Sequence, residues 1–155
     1  MQQSALTRGL LGFVAAAISV LTFHQAMWAI FYALGKMPAP YPTHAVPPLG
    51  IPLIVDLCFW GGLYGIVFGI LRPSFTAPLW VCGIILGIIA SLVGMFIVAP
   101  IKGLPVAGGW MALPIIRSLL INGFWGLGVG LILPLLQPRL PSYRAADGGM
   151  TSTRH

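Results

Sequence analysis

The chain has 155 residues, 58% of them hydrophobic and only 6% charged, with a formal net charge of +6. A soluble domain carries about 25% charged residues, so ten Asp, Glu, Lys and Arg side chains cannot clothe a water-soluble fold, and lipid is the expected solvent for most of the surface. The eight basic residues stand singly between apolar runs. That excludes a phosphate-binding stripe, and with it a nucleic-acid partner, and leaves the topological role of residues that flank membrane spans.

Four apolar runs reach the roughly 20 helical residues needed to cross a hydrocarbon core about 30 Å thick: 10–34, 51–71, 79–99 and 114–136. The expected fold is an all-α integral membrane protein, a four-transmembrane-helix bundle built from two similar helical hairpins. Residues 1–136 form a single transmembrane domain, and 137–155 a polar cytoplasmic tail. The first run is too long for the 7–15-residue apolar core of a cleaved signal, and no small-x-small site follows it, so it is expected to be retained. Near its middle stands His24, with Gln25 beside it and Trp28 one turn further on the same face. A histidine at that depth can be a neutral hydrogen-bonding group, a ligand for a haem or pigment metal, or a proton relay. No second histidine lies at depth, since His44 falls in a Pro-rich connection and His155 ends the chain, so a bis-His haem cannot form within one copy.

The first connection, 35–50, carries Pro38, Pro40, Pro42, Pro47 and Pro48. Span two follows, with Asp56, the only acid in the first 146 residues, roughly 8 Å inside its start at about 1.5 Å per residue. Gly61, Gly65 and Gly69 form a small-residue stripe along it; Gly83, Gly87 and Ser91 do the same on span three, and Gly126 with Gly130 on span four. Such stripes let helices approach closely in lipid, so the expected partners, besides the bilayer, are further copies of the chain or other membrane subunits. Cys58 and Cys82 lie inside apolar runs without a CxxC or Cys/His pattern; unpaired thiols and no metal site are expected. Trp80 and Trp110 sit near span ends, as interfacial anchors do.

Span four brings Arg117, roughly 5 Å from the same end as Asp56, and Asn122. Intramembrane charges are costly and tend to pair, so Asp56, Arg117, His24, Asn122 and Gln25 form the candidate polar cluster, with Asp56 and Arg117 as expected partners. The segment from Phe59 to Pro73 matches that from Phe124 to Pro138 at six positions with a constant offset of 65, among them Trp60/Trp125, Gly61/Gly126 and Gly65/Gly130. A parallel repeat of two hairpins would give Trp60 and Trp125 equivalent places. Arg8, Arg72, Arg139, Arg144 and Arg154 fall on one side of the expected topology and Lys36, Lys102 and Arg117 on the other, which puts both termini in the cytoplasm of a bacterial-type inner membrane.

Phe31-Tyr32-Ala33-Leu34, followed by Lys36, Pro38 and Pro47-Pro48, resembles the first loop of the tryptophan-rich sensory (translocator) family, and Leu120–Trp125 resembles an Asn-x-x-Trp helix of that family. That family has five spans where four are read here, with the Asn helix last instead of third, so no binding residue is carried over. No HExxH, P-loop, paired carboxylates or Gly-rich dinucleotide turn occurs, and Asp147 lies in the polar tail, out of reach of a Ser/His/Asp arrangement. The expectation is a non-enzymatic accessory or assembly subunit, or a homo-oligomer, without a cofactor. The alternatives are a small transporter or channel using the polar cluster, and a pigment- or haem-binding subunit using His24.

Overall fold

A computed structural model describes residues 3–47 and 49–137; Pro48 and the tail from Pro138 onward, with Arg139, Arg144, Arg154, Asp147 and His155, lie outside the described residues. Among the described residues four helices are long and apolar enough to cross a membrane: α1 (Ala5–Ala33), α2 (Leu53–Ser74), α3 (Leu79–Ile101) and α4 (Ala112–Leu136). Consecutive helices run antiparallel. The connections after α1 and α3 mark one end of the bundle, the loop end, and the α2–α3 connection the other. A two-residue hairpin, β1 (Ala45–Val46) against β2 (Ile51–Pro52), stands in the first connection.

Local chemistry sets the boundaries. Ser4 caps α1 by accepting the Thr7 N–H at 3.1 Å, and Pro52 and Pro78 precede the first turns of α2 and α3. α1 and α3 stop by the same device. Gly35 and Gly103 take positive φ (67° and 71°), and Lys36 N–H and Leu104 N–H each reach back to close the last turn, on the Phe31 and Ala99 carbonyls at 2.9 Å. A π-helical turn interrupts both odd helices, at Val20–His24 and at Gly94–Val98.

Glycine governs the hairpin packing. A Cβ at Gly65 would fall on the Gly12 carbonyl, and one at Gly69 on the Arg8 carbonyl, so α1 and α2 touch backbone to backbone. In the second hairpin Gly83 and Gly126 face each other in the same way, Gly87 abuts the Asn122 carbonyl, and Gly130 abuts Leu79. Gly61 stands slightly apart from this contact, facing Val20 and the Trp125 ring.

The two hairpins meet through α1 and α4. Ser19 Oγ donates to the Trp125 carbonyl at 2.6 Å, and Trp125 Nε1 donates to the Ala16 carbonyl at 3.1 Å. The Phe23 and Phe124 rings lie 5.3 Å apart. Ala15, Ala16, Val20, Trp125, Val129 and Leu133 form the core along this seam. α2 and α3, joined by the shortest connection, scarcely touch. The outward residues, such as Leu10, Val14 and Leu21 on α1 and Ile85, Ile89 and Leu92 on α3, are exposed and apolar.

Trp60 and Trp125 do not share a setting. Trp125 is 2% exposed in the seam, whereas Trp60 is 55% exposed on α2. The physical reason is the unequal pairing of the hairpins: α4 lies against α1, while α2 has no equivalent neighbour in α3.

Candidate functional site

The gap between α2 and α3 is a groove of about 730 Å³, within the usual range for small-molecule sites. Val67, Tyr64 and Trp60 of α2 form one wall, and Ala90, Val93 and Gly94 of α3 the other. The floor comes from α1 and α4 and carries His24, Asn122 and Trp125, while Asp56 lies on the α2 side and Lys102 at the rim where α3 ends. Among the candidate cluster, His24, Asp56 and Asn122 therefore line one cavity, Gln25 stands behind His24, and Arg117 is elsewhere.

The expected Asp56–Arg117 pair is not formed. Asp56 Oδ1 accepts from Trp60 Nε1 at 3.1 Å, whereas Arg117 donates to the Lys36 carbonyl at 3.3 Å. Helix counting misjudged the depths. Cys58 faces the Ala17 carbonyl, which sets Asp56 opposite Ser19, at the middle of α1. Trp125 is also level with Ser19, so Arg117, eight residues earlier on α4, lies about 12 Å nearer the loop end. α2 simply begins deeper than α1 ends, and the first connection descends to meet it. Its first amides are satisfied there, Leu53 N–H by the His44 carbonyl and Ile54 N–H by the Pro42 carbonyl, both at 3.0 Å.

The carboxylate of Asp56 gains from this placement. It sits in the first turn of α2, where the helix dipole favours negative charge, and it receives the indole N–H of the residue one turn on. Among the described residues it has no basic partner within ion-pair distance.

A strap from the first connection orients His24. Tyr41 N–H donates to Gln25 Oε1 at 2.7 Å, and Tyr41 Oη donates to the Leu21 carbonyl, inside the π turn, at 2.9 Å. Trp28 Nε1 holds the Pro38 carbonyl at 2.9 Å. Tyr41 takes φ 55°, a left-handed conformation that costs a non-glycine residue about 1–2 kcal/mol and is offset here by two hydrogen bonds. With its oxygen committed to Tyr41, Gln25 presents Nε2 to His24 Nδ1 at 3.3 Å. Nδ1 is then the acceptor, and the ring proton of a neutral His24 resides on Nε2. His24 is buried, with Trp28 5.8 Å from its ring. Asn122 Nδ2 and Ser91 Oγ both donate to the Ser118 carbonyl, at 3.0 and 2.9 Å, which leaves the Asn122 amide oxygen as an acceptor.

Comparison with protein-family models, with curated proteins and with solved structures gives no match for this chain.

The residues that sequence reasoning missed are Trp60, Tyr64, Lys102, Tyr41 and Ser19. Trp60 was within reach, standing four residues after the only acid of the spans. Tyr41 carried no signal, because its role depends on a connection folding back along α1. Cys58 and Cys82 are free thiols.

Proposed function

We propose that this chain is a small, non-enzymatic membrane binding protein of the carrier type, which admits an apolar guest sideways from the bilayer into the groove between α2 and α3. The observation that carries this reading is the groove itself: about 730 Å³, apolar along its walls and polar at Asp56, His24 and Asn122. An intramembrane carboxylate without a counter-charge is a functional site by default, because its insertion costs about 2.5–3.5 kcal/mol at a helix centre. Assembly with other subunits draws less support than the sequence suggests. Gly65, Gly69, Gly83, Gly87, Gly126 and Gly130 are all spent on contacts within the chain.

Haem or pigment ligation by His24 is disfavoured for a geometric reason. A metal-bound histidine donates its second N–H to an acceptor behind it, but the group behind Nδ1 is the Gln25 amide nitrogen, fixed in that sense by Tyr41. The arrangement suits a neutral imidazole donating Nε2–H into the groove.

Gly94 supplies the test. It lines the groove, and a Cβ there meets nothing within 4 Å, so Gly94→Leu intrudes on the groove without a clash at its Cβ. Native mass spectrometry of the protein from mild detergent is expected to find a retained lipid-like adduct, absent from Gly94→Leu. An adduct retained equally by both, or by neither, would overturn the reading.

We further place the termini and the α2–α3 connection on the cytoplasmic side of a bacterial-type inner membrane, on the strength of Arg8 and Arg72 together with the three arginines of the tail. A cysteine at Leu104 should be labelled from outside and one at Ser74 should not. The opposite pattern inverts the topology.

A further inference from the structure

Building on the groove as a binding site, we infer that its guest is an apolar cation, an amphipathic ammonium or phosphonium-like molecule seated against the Asp56 carboxylate and the open face of the Trp60 ring. The placement of Asp56 is the first ground. It lies opposite Ser19, at the middle of α1, in a cavity whose walls are apolar. It is the only acid among the first 146 residues, and the cation expected to neutralise it is held by the Lys36 carbonyl. One carboxylate oxygen takes the Trp60 N–H; the other has no partner among the described residues.

The surroundings of the carboxylate are the second ground. Trp60 is 55% exposed, so the indole that orients Asp56 also offers an open face beside it. Tyr64, one turn further on, lines the same cavity and meets the Trp125 ring edge-on at 6.3 Å. Aromatic faces beside a carboxylate attract cations, and more strongly when water is excluded. An anionic guest would meet the Asp56 carboxylate at the same place, with no basic side chain among the described residues within ion-pair distance to offset it. Among the described residues Lys102 is the one cation of the groove, and it stands beyond the end of α3. Gly83 faces Gly126 and Gly87 the Asn122 carbonyl, so α3 is level with Trp125 and Asp56 near Ile84; Lys102 stands about 27 Å further along the helix, too far to compete for Asp56. His24, donating from the floor, and the Asn122 amide oxygen suit a guest with a polar atom beside its charge.

Matched probes of equal shape separate charge from greasiness: tetraphenylphosphonium and tetraphenylborate, measured by equilibrium dialysis against the full chain in a neutral maltoside detergent. Tetraphenylphosphonium is expected to bind wild type saturably, and Asp56→Asn to weaken it at least about tenfold, the equal of about 1.4 kcal/mol. Tetraphenylborate should show no saturable binding to either. The thermal midpoint of Asp56→Asn, with its isosteric side chain, shows that the variant is folded. Equal binding of the two ions, or tetraphenylphosphonium binding untouched by Asp56→Asn in folded protein, overturns the cation assignment. If the adduct of the wild type is still lost in Gly94→Leu, the groove stands as a binding site for an uncharged guest. If that difference is also missing, both readings fall.

Discussion

Two tryptophans in near-identical local sequence, Phe59-Trp60-Gly61 and Phe124-Trp125-Gly126, end in opposite surroundings. Trp125 closes the seam between α1 and α4, donating to the Ala16 carbonyl with 2% of its surface exposed; Trp60 stands in the cleft between α2 and α3, donating to Asp56 with 55% exposed. The indole N–H finds a partner in both places, as a buried or half-buried indole must. What differs is the neighbouring helix. α1 offers Ser19, Ala16 and a short carbonyl reach, so the seam shuts; α3 leaves Gly94 with empty space beside it, so the cleft stays wide. A local motif thus fixes a hydrogen-bonding habit but not a role. The role comes from which helix arrives opposite.

The strongest way to break this contrast is at glycine. A Cβ at Gly128 would collide with Ser19 Oγ and the Phe23 ring, so Gly128→Leu should pry the seam apart, at about 3 kcal/mol or more, while Gly94→Leu should leave the thermal midpoint nearly unchanged. Comparable loss in both would mean the cleft is as tightly filled as the seam. Next in size is the indole pair itself. Trp125→Phe removes a buried hydrogen bond and leaves a gap, at about 2 kcal/mol; Trp60→Phe, on a half-exposed face, opens no buried gap and loses only its bond to Asp56, at about 1 kcal/mol. Thermal unfolding in detergent compares them, and a larger effect at Trp60 would reverse the assignment of core and cleft. The smallest is Ser19→Ala, which deletes the hydroxyl bond to the Trp125 carbonyl. Interhelical bonds in membranes average about 0.6 kcal/mol and reach about 1.7; a loss near the upper figure would make Ser19 the hinge of the seam.

Much of the architecture was legible in the residues. Apolar run length gave four helices, and the small-residue stripes named the faces that meet, because in lipid close backbone approach is the main packing force. The expected helix ends fell within a few residues, apart from α1, which starts at Ala5. The site was legible in part. His24, Asp56 and Asn122 were singled out because polar groups in apolar runs are few, and they line one cavity. The Asp56–Arg117 pair failed because depth was counted along each helix from its own end, and α2 starts well below the end of α1. That offset is made by the descending strap around Tyr41, a long-range fold of a Pro-rich connection with no periodic signature. The π turns at Val20–His24 and Gly94–Val98 were likewise invisible, since they arise from how the helices meet and not from a change in hydrophobic pattern.

The measurement that bears most directly on the contrast is tryptophan quenching by brominated acyl chains in reconstituted bilayers, comparing wild type with Trp60→Phe and Trp125→Phe. Trp28, Trp80 and Trp110 contribute equally to all three proteins, so differences report Trp60 and Trp125. An open α2–α3 cleft beside a closed α1–α4 seam predicts that Trp60→Phe removes a quenchable component and Trp125→Phe removes an unquenchable one. Trp60 shielded from the bromines, or Trp125 quenched as strongly as Trp60, would contradict it.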